Sequence, residues 1–444
     1  MKSSKAQTHA NFHKVPALRF DEQELTSFSG LVVFQALFDR LWLKLRLEGC
    51  FAHLKRSCVF GHHVVALLLV VHFLLGFKRL SDMGYYWDDP VMKRVLGLRR
   101  LPHVSTVSRT LAGMDAACVD NLRALTRDLV IDRLGQERFR RVTLDFDGTV
   151  LSTRRHSEGT AVGYNPKRKG ARSYYPLLCT MAQTGQFFDM RHRPGNVHDL
   201  NGAKGFMHEC FEHVRHRLGR VVLESRMDGA FFEKTLLESL DRCGVQFTCS
   251  VPFARFAQLK GLIEERRFWK RLDREWAYFE SPWKPKSWDR TFRFIFIPHK
   301  VKNPQKGPLQ LDLFEPLDYR YEYTVMVANR KERTKKVVLF HHGRGGQEAL
   351  FGEAKQDVAF QTVSTKRRTG NQVLTLCSMM AHNLSRELQM RAKTRRRYLD
   401  LRGLGRAAVL PRRPADGEAI CRGIPRTLRP GHQRMRPWVR RTYR

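Results

Sequence analysis

Three acidic residues stand where carboxylates could be brought together around metal ions. Asp147 closes an apolar, alternating stretch (RVTLDFDGTV) and Asp228 closes a second one (RVVLESRMDGAF), each with a glycine directly after it. Glu348 lies in the helical stretch HHGRGGQEALFGEAK. The chemistry such a set would serve is phosphodiester cleavage and exchange. That reaction uses two cations about 3.5–4 Å apart, one at the attacking and one at the leaving oxygen. Mg²⁺ is a hard ion that takes carboxylate and phosphate oxygens, so two Mg²⁺ ions are expected, with Mn²⁺ as a substitute.

An acid before a glycine at a strand end is commonly just a turn, so the two aspartates need the third acid to become a site. At about 100° per residue, Arg344 falls about 40° and Lys355 about 20° from Glu348, so one continuous helix carries all three on one face. Glu353 lies about 140° away and is the poorer ligand. A solvated face with i,i+4 ion pairs is the plainer explanation of charges on a helix, but it does not call for this particular order of Arg, Glu and Lys. The first aspartate has a rival. Asp145 lies two residues before Asp147, so both side chains share a face of the strand, and Asp145 stays open as the alternative ligand. Two acids on an apolar strand cost desolvation energy unless they meet a cation or hydrogen-bond donors.

These residues need elements to hold them. The strand RVTLDFDGTVLS is followed by YYPLLCTMA and QFFDMRHRPG, parted by a turn at Gln183, Thr184 and Gly185. A helix from Leu200 to Leu218, the strand ending at Asp228, a helix from Phe231 to Arg242 and the strand VQFTCSV come next. By analogy of element order this is an RNase H-like catalytic core. The expected fold class is α/β, an RNase H-like core with a β-rich insertion, preceded by an α-helical N-terminal DNA-binding region. The expected boundaries are a flexible leader over 1–30, the helical region over 31–135 and the first part of the core over 136–252. The insertion follows over 253–335, then core helices over 336–390. A basic, disordered tail over 391–444 carries 17 Lys+Arg against 3 Asp+Glu. The insertion contributes the strands TFRFIFIPH and YEYTVMVAN.

In the helical region, Val64 to Phe77 is apolar nearly all round. A membrane span needs about 20 such residues, so this stretch reads as a buried helix. Further on, Ser105 is taken as the N-cap of a short helix from Thr106 to Met114. That helix either belongs to a helix-turn-helix, with Ser108 and Arg109 facing DNA, or is one more member of a bundle.

Composition points the same way. The 444 residues hold 80 Lys+Arg against 43 Asp+Glu, a net charge of +37. Such a chain seeks polyanions, nucleic acid first among them. A hydrophobic fraction of 42% excludes wholesale disorder. Nine dispersed cysteines without a C-x-x-C pair read as reduced thiols of a cytosolic protein, and no zinc site is expected. His192, His198 and His213 show no ligand spacing and are assigned surface or capping roles. Lys167, Arg168 and Lys169, in the loop NPKRKGARS, read either as solvated charge or as a DNA-backbone contact.

With these motifs in hand, the sequence resembles the DDE transposases of bacterial insertion sequences, in the branch with a β-rich insertion before the last acid. That branch carries a Tyr-x2-Arg-x3-Glu-x6-Lys motif. Arg344, Glu348 and Lys355 match it, and His341 stands at the tyrosine position. LDFDGTV, GYNPKRKGARSYYPL, RPGNVHD and RMDGAFF are similar to the same branch, and LDFDGTV favours Asp147 over Asp145. The resemblance runs from about Leu31 to Met390. It implies that Asp147, Asp228 and Glu348 coordinate both ions. Hydrolysis would free a 3′-OH at the element's end, and that 3′-OH would then attack target DNA. Arg344 and Lys355 would hold DNA phosphates, and His341 would contact phosphate or orient water. The partners implied are the inverted-repeat ends and target DNA, without a membrane, bound by a homodimer in the bacterial cytoplasm at the nucleoid. Trp283 or Trp288 would stack on a flipped base or pack a small core of the insertion's own. A nuclease of the same fold that cuts without joining, and a non-catalytic DNA-binding relic, remain as alternatives.

Overall fold

Residues 62–74 show how the helical half is built. α3 (His62–Leu74) is apolar on every side, and every residue from Val65 to Leu74 is buried. A helix of this kind needs neighbours all round. They come from α2 (Leu43–Cys50), α4 (Pro90–Leu96) and α5 (Val104–Ala112), with α1 (Leu31–Arg40) and α6 (Ala116–Glu137) packed on these helices in the same core. The covering layer is completed by the last helix, α12 (Arg368–Ala392), where the Cys377 thiol meets the Ala66 carbonyl at 3.8 Å. The one polar residue at the heart of α3, His72, bonds the Tyr86 hydroxyl at 2.7 Å. The computed structural model describes residues 26–392 except 56–58, 155, 272–275 and 301–320. Most of the expected leader, the middle of the expected insertion and nearly all of the basic tail therefore lie outside the described residues. Among described helices, none is long and apolar enough to cross a membrane.

α6 leads into the sheet. The strands are β1 (Arg141–Gly148), β2 (Leu151–Ser152), β3 (Ala161–Val162), β4 (Arg172–Tyr174), β5 (Leu177–Met181) and β6 (Gln186–Arg191). Then follow α7 (Ala203–Leu218), β7 (Val222–Met227), α8 (Lys234–Arg242) and β8 (Gln246–Ser250). Next come α9 (Ala257–Glu264), β9 (Lys270–Arg271), β10 (Ala277–Trp283), β11 (Phe292–Lys300) and β12 (Tyr321–Ala328). α10 (Thr334–His342) and α11 (Gly345–Asp357) precede α12. Nine strands form one mixed sheet in the order β6-β5-β1-β7-β8-β12-β11-β10-β9. β1 runs parallel to β7 and antiparallel to β5. β2, β3 and β4 make a separate small sheet beside the end of β1.

The architecture departs from the sequence expectation in one respect. β10, β11 and β12 do not build an independent subdomain, because β12 hydrogen-bonds β8 and extends the main sheet. Trp288 stacks on Phe232 at 4.9 Å and Trp283 meets Phe294 edge-on at 5.0 Å. Both rings thus serve the main core rather than a separate one. α12 ties the N-terminal helices to the sheet. The Asn383 side chain accepts from the Phe187 N–H at 2.8 Å and donates to the Phe187 carbonyl at 2.7 Å, as another strand would.

Candidate active site

Register brings the two aspartates together. Asp145 on β1 faces Arg226 on β7, and the same phase continued two residues on sets Asp147 beside Asp228 where both strands end. Asp147 Oδ1 accepts from the Gly148 N–H at 2.8 Å. Asp228 Oδ1 accepts from the Ala230 N–H at 3.0 Å, capping a short 3-10 turn at Gly229–Phe231. The third acid arrives on α11, whose N-cap is Arg344. Arg344 Nη1 lies 3.6 Å from Asp147 Oδ2 and 4.0 Å from Asp228 Oδ2, and Nη2 lies 3.7 Å from Glu348 Oε1. Three elements remote in sequence thus converge on one guanidinium. Glu348 is the outermost acid, its side chain 71% exposed against 19% for Asp147.

The electrostatics of this cluster are unbalanced. Burial, and after it the neighbouring Asp228, push the Asp147 pKa up to about 7 against the opposing pull of Arg344. Burial also raises Asp228, with Arg344 again opposing. One arginine at ion-pair distance does not offset two half-buried like charges; a divalent cation would. The donors are all carboxylate oxygens, the set that hard ions such as Mg²⁺ and Mn²⁺ prefer. Among the described residues, the ligand atoms of His53, Asp115 and Cys118 are the group lying within 4.8 Å of one another. There Asp115 caps α6 by accepting from the Cys118 N–H and pairs with His53 at 3.1 Å.

The remaining expected residues divide cleanly. Lys355 Nζ donates to Thr149 Oγ1 at 2.5 Å beside the aspartates; burial first, then Lys167, lowers its pKa. Lys167 is thus near enough to Lys355 to be felt by it, and the side chains of Lys167, Arg168 and Lys169 are all exposed. Asn165 anchors their loop, donating to Ser152 Oγ at 2.7 Å and accepting from the Arg168 N–H at 3.1 Å. Glu353 turns away to Arg386 at 2.5 Å, as the helical phase requires. Arg109 is exposed on α5, far along the chain from these groups, its Nε donating to the Ser105 carbonyl at 3.3 Å. The N-cap of that helix is His103, not Ser105.

Three expectations are corrected. Asp145 is not free to take a metal: Arg226 grips both its oxygens, Nε to Oδ1 at 2.7 Å and Nη2 to Oδ2. His341 is sealed beneath the site, bonded to Thr248 Oγ1 at 2.9 Å and Ser250 Oγ at 3.0 Å. Burial lowers its pKa to about 3, so it neither reaches a phosphate nor carries charge. His192 is buried against Tyr174, ring centroids 4.2 Å apart, rather than on the surface.

One neighbour was not singled out from sequence. Asp199 lies at the rim of the cluster, close enough to both Asp147 and Asp228 to raise their pKa values. Its segment RPGNVHD was noted as a motif, but a lone acid in a loop gives no periodicity by which to weigh it.

Comparison with known proteins places these observations in a family. Residues 8–402 match the family model described as Transposase DDE domain group 1. No curated protein matches the sequence significantly. Among solved structures, the chain is distantly similar to the piggyBac transposase, determined by cryo-EM in a synaptic complex with hairpin DNA. That match has a TM-score of 0.46 and 12% identity, over 86% of this chain and 80% of that one. The chain belongs to the DDE transposases, divalent-metal-dependent enzymes that cleave DNA and transfer its strands.

Proposed function

We propose that this enzyme is the transposase of a bacterial insertion sequence, with Asp147, Asp228 and Glu348 as the holders of two Mg²⁺ ions, replaceable by Mn²⁺. The observation that carries the reading is the meeting of three carboxylates from β1, β7 and α11 around Arg344. The strand order β6-β5-β1-β7-β8, with β1 antiparallel to β5 and parallel to β7, supports an RNase H-like core. Bound there, the ions would neutralise charge on the phosphodiester and polarise it.

The chain's own groups do the rest. The two aspartates stand at the sheet's end, fixed by backbone N–H groups, and Glu348 closes the site from the solvent side. Arg344 offers a planar fork of donors to a DNA phosphate, and Lys355 a compact point charge. Lys167, Arg168 and Lys169 line the approach, and Arg109 on α5 contacts DNA farther from the reacting bond. The protein acts as a homodimer that holds two element ends, in the cytoplasm at the nucleoid.

The test is a joining assay with the full chain, terminal inverted-repeat DNA and a target plasmid. Nicked ends and joined products are expected with Mg²⁺ or Mn²⁺ and neither with EDTA. Full activity of Glu348→Gln would sink the site assignment. Cleavage without joined product, from precleaved ends as well, would mark a nuclease.

A further inference from the structure

We infer that Asp199 is a fourth acidic residue of this centre, a positioning residue that strengthens its hold on divalent cations without replacing any of the three acids. The inference rests on the proposed metal-holding role of Asp147, Asp228 and Glu348.

The geometry around Gly148 carries it. A Cβ placed on Gly148 would lie 2.6 Å from Asp199 Oδ1 and 2.5 Å from the Tyr175 hydroxyl. A side chain at this position would have to push the Asp199 carboxylate and the Tyr175 ring aside, so glycine lets Asp199 lie against the backbone next to Asp147. The loop that carries Asp199 is built to hold it there. Arg193, 6% exposed, donates to the carbonyls of Tyr175, His198, Asp199 and Asn201 at 2.9–3.2 Å. Its guanidinium lies over the Tyr175 ring at 5.4 Å. Tyr175 in turn donates its hydroxyl to Asp199 Oδ2 at 3.2 Å.

Asp199 Oδ1 is only loosely compensated. It is shielded from solvent and accepts no hydrogen bond, and the Arg193 guanidinium pairs with it at 3.7 Å without donating to it. A shielded carboxylate oxygen without a donor is costly, and this one sits beside two further carboxylates that repel it. Positive charge entering between Asp147, Asp228 and Glu348 removes that cost. Asp199 therefore adds to the negative field that draws a cation in. The lever is charge held in place by the bonds that fix its loop.

The experiment measures Mn²⁺ binding by electron paramagnetic resonance of the full chain, without DNA. It compares wild type, Asp199→Asn, Tyr175→Phe and Asp147→Asn, each with a thermal melt in EDTA. Asp199→Asn preserves shape and the bond from Tyr175 while removing the charge. It should weaken Mn²⁺ binding about tenfold or more, the usual effect of losing a supporting group behind metal ligands. Its melting temperature in EDTA should change little, because relief of repulsion from Asp147 and Asp228 offsets the lost ion pair with Arg193, which keeps its bonds to four backbone carbonyls. DNA nicking by Asp199→Asn should be regained as Mn²⁺ is raised, which Asp147→Asn should not show. Tyr175→Phe should cause a smaller weakening in the same direction. Unchanged Mn²⁺ affinity in Asp199→Asn, with affinity lost in Asp147→Asn, would overturn this inference alone. Unchanged affinity in Asp147→Asn would instead overturn the metal site on which it rests. A lower melting temperature in EDTA with unchanged affinity would assign Asp199 to the fold.

Discussion

Two pairs of residues on the same two strands, one step apart, have opposite designs. Asp145 faces Arg226 and is gripped through both oxygens in the sheet's interior. Asp147 and Asp228, two residues further on, set like charges side by side where the strands end. The first pair is complete and sealed. The second is short of positive charge, and its nearest cation, Arg344, stands 3.6–4.0 Å off without a hydrogen bond from Nη1. A carboxylate on an apolar strand is therefore no sign of function in itself. What distinguishes the two aspartates is whether the protein supplies the counter-charge or leaves it to come from outside.

The contrast is broken most easily by charge removal. Asp147→Asn and Asp228→Asn should each lower nicking by about 10²- to 10⁴-fold, since a metal's charge stabilisation is worth several kcal/mol and each ~1.4 kcal/mol is tenfold. Gel-shift affinity for end DNA should persist. Asp145→Asn should lose activity only in step with its folded fraction, and a well-folded but inactive Asp145→Asn would erase the distinction.

Arg226→Met probes the sealed pair from the other side. Leaving Asp145 buried without its partner should cost about 3–5 kcal/mol of stability in urea unfolding, whereas removing both partners with Asp145→Leu should recover most of it. Similar losses in the single and double variants would mean that the pair is no closed unit.

His341 extends the contrast to a position that resemblance assigned to DNA. Burial holds the pKa of His341 and His382 at about 3 and that of His72 at about 4, all below the unfolded value near 6.5. Between those limits the unfolded chain binds protons that the folded chain refuses. Stability is then fully present above about pH 6.5 and falls as the pH drops toward 4, by up to about 1.4 kcal/mol per pH unit for each such histidine. Replacing His341 with Gln should flatten the acid limb of the stability curve by one proton and leave the salt dependence of DNA binding unchanged. A change in salt slope would return His341 to the DNA surface.

The smallest effect belongs to Lys355. Lys355→Ala should lower the slope of log affinity against log salt by about one, the signature of one lost phosphate contact. An unchanged slope would make its bond to Thr149 purely structural.

Much of this was legible in the sequence because local periodicity reports local structure. Alternation marked the strand that holds Asp147, an apolar run marked the one that ends at Asp228, and the 100° phase turned Glu353 away from Glu348, while Arg344 caps α11 instead of lying within it. Other features had no local signature. Val325 and Val327 read as strand residues of an insertion, but the partner of that strand, β8, is chosen by long-range hydrogen bonding. The pairing of Asn383 with the Phe187 backbone joins residues almost two hundred positions apart. His341 shows the limit of a motif: its spacing fitted a DNA-facing residue, while Thr248 and Ser250 waiting on β8 made it a buried one.

The sequence alone determined the residue types, the element order, the helical phase of α11 and a charge suited to DNA. Which aspartate stands open was decided only in the folded state, by the register of β1 against β7 that hands Arg226 to Asp145. The fold also decided where Asp199 lies, because a loop residue has no period and is placed by the arginine and tyrosine that pack around it.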